Sequence, residues 1–137
     1  MVYLAETVPG AILEVVVHLL ESTVLPDGLK LIHVDVPSNI ECETVPEDSL
    51  PRSWPSSPEI TRERGDVWLV ERKTALISVP SAIAPNTRNF LLNPEHPDAG
   101  GVTIREDFDF DFDRRLKHLA DYALSYRDEA QYVLPEN

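Results

Sequence analysis

Val2-Tyr3-Leu4-Ala5-Glu6-Thr7-Val8-Pro9 runs directly into Gly10-Ala11-Ile12-Leu13-Glu14-Val15-Val16-Val17-His18-Leu19-Leu20, and the reading of this stretch decides the fold. Val2 to Ala5 reads as a short strand. Thr7 then offers a hydroxyl to cap a helix, and Pro9 falls in the first helical turn, where a missing N–H is tolerated. A helix from about Val8 to Glu21 is predicted. Val8, Ile12, Val15, Val16 and Leu19 fall on one stripe of such a helix, and Leu13, Val17 and Leu20 widen it over most of the circumference. Only Glu14, His18 and Glu21 form a polar line. A helix so apolar is packed on more than one side, which puts Glu14 and His18 in a cleft or groove.

Working outward, Pro26-Asp27-Gly28 signals a turn, and Leu29 to Val36 alternates as a strand with Ile32, Val34 and Val36 on one face. Residues 41–58 carry four prolines among acidic and serine residues, so an irregular connection with at most one helical turn is expected, anchored by Trp54. Pro58 can start a helix to about Arg72, carrying Ile60, Val67, Trp68 and Leu69. Ala75 to Val79 is a short β-rich run ended by Pro80, and Ser81 to Asn89 is a donor-rich loop. Phe90 to Leu92 suggests a further strand, and Asn93 to Asp98 is dense in turn residues. In the last strand, Val102 to about Phe112, Asp107, Asp109, Asp111 and Asp113 alternate with Phe108, Phe110 and Phe112. Period-two alternation and the absence of a calcium-loop glycine favour a half-exposed strand over a calcium site. Several short strands with two main helices make an α+β domain. The domain is placed at 1–116, with 117–137 a docked helix or a tail.

The chain has 137 residues, 42% of them hydrophobic, enough for one core. A net charge of −12 repels a polyanionic duplex and argues against direct nucleic-acid binding. The lone Cys42 cannot close an internal disulfide, which fits a reducing cytoplasm. The most apolar run, Ala11 to Leu20, is too short to span a bilayer and contains Glu14 and His18; no membrane association is expected.

Glu14 is the prime candidate for chemistry. A carboxylate held beside a partly apolar cleft stabilises a developing cation, or accepts a proton, better than one in water. Spacing alone gives equal weight to a solvated helix residue. Tyr3, on the preceding strand, can face the same groove. His18 lies four residues after Glu14, but no second histidine stands at ligand spacing, so no metal is expected. Ser81, Asn86, Arg88, Asn89, Asn93 and His96 form a run of donors suited to phosphate and ribose oxygens, although composition by itself favours turn capping. Ser81 is not in a G-x-S-x-G elbow, and Gly100-Gly101 precedes a strand, so neither a serine hydrolase nor a phosphate-binding glycine loop is indicated.

In these same segments the chain resembles the RES family, named for its Arg, Glu and Ser. Val2-Tyr3-Leu4-Ala5-Glu6-Thr7 with Ala11 and Glu14 matches "Y-L-A-E-S … A-x-x-E", and Gly65-Asp66-Val67-Trp68-Leu69 matches "G-D-x-W-L". Val79-Pro80-Ser81-Ala82-Ile83-Ala84-Pro85 and Asn89 to Pro97 match "V-P-S-A-x-x-P … N-x-x-x-N-P-x-H-P". Four ordered elements are far more specific than any one alone.

The resemblance implies a fold like that of ADP-ribosyltransferase toxins. It also implies a bacterial toxin that cleaves NAD at the nicotinamide glycosidic bond, as an NAD phosphorylase or NAD glycohydrolase. NAD is then substrate, either phosphate as co-substrate or water is the acceptor, and no cofactor is expected. Carried over, Glu14 stabilises the ribosyl cation, Tyr3 stacks on or positions nicotinamide, and Ser81 holds the substrate. Asn89, Arg88, Asn93 and His96 are candidate substrate-binding donors. The implied partner is a helix-turn-helix antitoxin of Xre type, and a homodimer is compatible with the resemblance. An Arg-containing "G-G-R-W-N" element of the family stands upstream of its tyrosine element, whereas here Met1 is two residues before Tyr3. The expectation is therefore the C-terminal part of the family domain, with weak or absent NAD turnover by this chain. The alternative is a catalytically incomplete module that binds the antitoxin.

Overall fold

A computed structural model describes residues 1–19 and 27–118 of the chain. It contains β1 (Val2–Ala5), α1 (Val8–Leu19), β2 (Leu29–Asp35), β3 (Cys42–Thr44), α2 (Pro58–Glu71), β4 (Leu76–Pro80), β5 (Arg88–Leu92) and β6 (Thr103–Phe110). Residues 114–118 are helical, and short 3₁₀ turns cover Glu47–Ser49, Trp54–Ser56 and Pro97–Gly101. This is the α+β class expected from the sequence. Most of the 117–137 segment, and the predicted end of the first helix at Glu21, lie outside the described residues.

Thr7 starts α1 as predicted: its Oγ1 accepts from Gly10 N at 3.2 Å and its carbonyl from Ala11 N at 3.0 Å. A Cβ on Gly10 would sit 3.1 Å from that hydroxyl, so the cap and the glycine depend on each other. Arg72 ends α2 in the left-handed region (φ 51°), its N–H returning to Trp68 O at 3.1 Å.

The main sheet has the order β1-β5-β4-β3, antiparallel except for the parallel β3–β4 pair. Strand β3 falls inside the segment expected to be irregular. Only three residues long, it is held by pairing with β4 and carries no alternation of its own. In the β1–β5–β4 register, Tyr3 stands opposite Leu91, Ala5 opposite Asn89, and Asn89 opposite Val79. Directly paired residues share a face, so Tyr3, Ala5, Asn89, Leu91, Ile77 and Val79 lie on one side of the sheet. Trp68 of α2 packs there with Ile77, Leu91 and Val45, flanked by Leu50, Leu69 and Val79. Burying each such side chain stabilises by about 1.5–3 kcal/mol. Trp54 anchors the connection before α2, with only 7% of its surface exposed.

A separate two-stranded ribbon pairs β2 with β6. Its register slips between His33 and Val34, and Ile32, expected on a buried face, is 51% exposed. The inward side is instead that of Leu29 and Leu31. Phe112 is buried against Ile12 and Val16 of α1, together with Leu29, Phe110 and Leu116, whereas Phe108 keeps 43% of its surface exposed. A two-stranded ribbon is not stable alone and depends on this docking. Ile12 and Val16 each lie about 200° around the helix from Glu14, so α1 turns its apolar line to the ribbon and its acid toward the sheet.

Among the described residues no helix is long and apolar enough to cross a membrane, and no group of three or more His, Cys, Asp or Glu is placed to hold a metal ion.

Candidate active site

Glu14 projects from the middle of α1 to the end of the β4–β5 hairpin. Its Oε1 accepts two hydrogen bonds, from Ser81 Oγ at 3.0 Å and from Asn89 Nδ2 at 2.6 Å. No hydrogen bond to Oε2 is found among the described residues. The carboxylate is thus tethered through Oε1.

Ser81 is fixed by the loop it opens. Its Oγ accepts from Ile83 N at 3.3 Å and Ala84 N at 3.1 Å, which commits its own proton to Glu14. Ser81 N donates to Thr87 O at 3.1 Å, and Thr87 returns to Ala84 O through N (3.3 Å) and Oγ1 (2.8 Å), closing residues 81–87 on themselves. Asn86 occupies the left-handed region (φ 62°), which asparagine tolerates. Ser81 and Asn89 are both buried, so neither can relinquish Glu14 without leaving a polar group unpaired.

Tyr3 lies on the same sheet face as Asn89, two residues along, or roughly 7 Å. It keeps 62% of its surface exposed. Loss of water around its hydroxyl, and then the charge of Glu14, hold its pKa above the usual phenol value, so it remains a donor at neutral pH.

The remaining sequence candidates lie elsewhere. Arg88 Nε donates to Ser78 Oγ at 2.5 Å, and its Nη2 to Val45 O at 2.8 Å and Ser78 O at 2.9 Å, which ties the guanidinium across β4 to the end of β3. Asn93 and His96 follow the far end of β5, beyond the Val2–Leu92 pair. Asn93 is buried with Oδ1 accepting from Glu95 N at 3.0 Å, and His96 Nδ1 accepts from Asp98 N at 3.2 Å as the cap of a 3₁₀ turn. The structure therefore gathers Glu14, Ser81, Asn89 and Tyr3, and leaves Arg88, Asn93 and His96 in other contacts. Among the described residues His18 and Glu14 belong to no group of three or more His, Cys, Asp or Glu placed to hold a metal ion.

A cavity of about 680 Å³ lies between β1, α1 and the ribbon. Val8, Ile12, Val15 and Phe110 contribute apolar walls. Tyr3 and Glu6 reach it, but Glu14, Ser81 and Asn89 do not. The hydrogen-bonded cluster takes precedence as the site, because polar groups that converge on a carboxylate carry chemistry and an apolar hollow alone does not.

Glu6 is a site-adjacent residue whose role is not evident from the sequence. Its N donates to Arg88 O at 3.1 Å, and its Oε2 accepts from Arg88 N at 3.1 Å. No local pattern signals this contact, since its partner is 82 residues away.

Residues 1–113 match the RES domain family. The chain belongs to the RES family. Among its relatives is Toxin Res of Pseudomonas putida, 38% identical over 85% of this chain and 79% of that protein. Prs ADP-ribosylating toxin of a Sphingobium species is 36% identical over 85% of the chain and 74% of its own length. Toxin Res of Photorhabdus laumondii is 35% identical over 84% and 74%. Within this RES chain the matched region contains α1, the β4–β5 hairpin and every residue of the Glu14 cluster.

Proposed function

We propose that this RES-family protein cleaves NAD at the nicotinamide glycosidic bond, acting in the cytoplasm as the toxin of a toxin–antitoxin pair. The observation that carries the reading is the Glu14 carboxylate, oriented through Oε1 by Ser81 and Asn89. When the bond between ribose C1′ and the pyridinium nitrogen breaks, its electron pair leaves with nicotinamide and positive charge develops on the ribose. A carboxylate already in place stabilises that charge without reorganising. The oxygen of phosphate or water then bonds to C1′, and where water is the acceptor the proton it loses passes to solvent. Tyr3, still protonated, positions the nicotinamide. Ser81 and Asn89 act mainly by fixing Glu14. The name of the Sphingobium relative, an ADP-ribosylating toxin, supports chemistry at this bond.

Incubation of the purified protein with NAD, followed by chromatography, tests the reading. Nicotinamide should appear, if only slowly given the weak turnover expected from the sequence, and Glu14→Gln should reduce its release further, by up to about 100-fold. Phosphorus NMR of the other product separates the acceptors, since phosphate adds a phosphoryl group to ADP-ribose and water does not. Unchanged release by Glu14→Gln would remove Glu14 from the chemistry, and absence of nicotinamide would remove the catalytic reading and leave the antitoxin-binding module.

The charge of −12 suits a basic partner, consistent with a helix-turn-helix antitoxin of Xre type. Capture of such an antitoxin without any loss of NAD would favour the non-catalytic binding module instead.

A further inference from the structure

We infer that Glu6 and Arg88 form a clasp that positions Glu14 against Asn89, and that Arg88 acts through this clasp without touching substrate. The inference rests on the proposed role of Glu14. Arg88 directs both its backbone N–H and its carbonyl toward β1. In a regular antiparallel pair the two residues would exchange main-chain bonds. Here the carbonyl receives Glu6 N, but the N–H is taken by the Glu6 carboxylate in place of a main-chain oxygen. That substitution frees the Glu6 carbonyl, but not its N–H, from the ladder, so the chain turns at once into the Thr7 cap and α1 while the Arg88 N–H stays paired. The start of α1 is thereby fixed to β5 one residue before Asn89. Eight residues on, Glu14 meets the Asn89 amide at 2.6 Å.

The Arg88 side chain secures the other flank. Its three donated bonds to Ser78 Oγ, Ser78 O and Val45 O draw β5, β4 and the end of β3 together. With three of its bonding directions committed to the protein, the guanidinium is a brace. Displacing the helix start or the strand end would lengthen the Glu14–Asn89 contact and turn the carboxylate away from its working direction. Misplacement of a catalytic group by about 1 Å costs up to about 100-fold in rate.

The test compares Glu6→Ala, Glu6→Gln and Arg88→Lys with the natural chain. Glu6→Ala should lower kcat for nicotinamide release by about ten-fold with KM within about two-fold. Glu6→Gln, which keeps an acceptor oxygen, should restore kcat. Arg88→Lys keeps the main-chain clasp but loses the brace, and should also lower kcat with little change in KM. An activity-independent readout is the Asn89 side-chain amide resonance, which should move on Glu14→Gln in the natural background and cease to do so in a Glu6→Ala background. If Glu6→Ala does not fold, Glu6→Asp, whose carboxylate is one methylene too short to reach the Arg88 N–H in the same way, carries the same comparison. A rise in KM at unchanged kcat for Arg88→Lys would mean that Arg88 contacts substrate, and would overturn the inference. So would natural kcat in Glu6→Ala, or an Asn89 resonance that still responds to Glu14 there. If the natural chain releases no nicotinamide, the functional reading fails, and the resonance experiment alone decides the clasp.

Discussion

Asn89 Nδ2 donates to Glu14 Oε1 over 2.6 Å, which joins the second strand of the main sheet to the helix packed at its edge. The bond closes a loop of 75 residues in sequence and is the shortest contact in the acid's shell. Asn89→Ala should therefore lower nicotinamide release by about ten-fold through misorientation of Glu14, with KM little altered. Steady-state kinetics at saturating and subsaturating NAD separate the two parameters.

Ser81 serves the acid and its own loop through one hydroxyl. Ser81→Ala removes the donor to Glu14 and also the acceptor for Ile83 N and Ala84 N. Leaving such groups unpaired should cost about 1–3 kcal/mol. Chemical denaturation should show a lower midpoint at unchanged slope, alongside reduced activity.

Tyr3 feels both lost hydration and Glu14. Its raised pKa means that folding favours the neutral phenol, a contribution fully present below the ordinary value of 10.0 and lost as pH rises through the folded value. Glu14→Gln removes the repelling charge but not the desolvation. Carbon NMR of ring-labelled tyrosine should then show the Tyr3 midpoint moving down, yet not fully to the ordinary phenol value. An unmoved midpoint would mean that the two residues are uncoupled.

Trp68 is 3% exposed, and its Nε1 donates to Thr74 Oγ1 at 2.9 Å. Trp68→Phe deletes that bond and leaves a void under α2, so a loss of roughly 2–4 kcal/mol is expected. Thermal unfolding should register it as a clear drop in Tm.

Asp113 begins the helical residues 114–118. Arg115, first through its side chain and then through its backbone N–H, lowers the Asp113 pKa from 3.8 to about 2. A depressed carboxyl pKa stabilises the folded state above 3.8, and that contribution is lost as pH falls through about 2. Carboxyl NMR should place the midpoint there, and Asp113→Asn should remove this pH dependence.

The sequence by itself determined what is local. A strand followed at once by a capped apolar helix was legible in Val2 to Leu19, because the Thr7 hydroxyl and the helical stripe act within a few residues. The phase of that helix already set Glu14 apart from Ile12 and Val16. Tertiary structure decided which donors meet the acid. Ser81, Arg88, Asn89, Asn93 and His96 read as one run, but a strand turns successive side chains to opposite faces and carries its two ends apart. Register against β1 and β4 placed Asn89 at Glu14, sent the Arg88 guanidinium to Ser78 and Val45, and left Asn93 and His96 beyond the opposite end. Strand β3 and the Glu6 clasp stayed hidden for the same reason: both exist only through hydrogen bonds to chain far away in sequence, which no local spacing records.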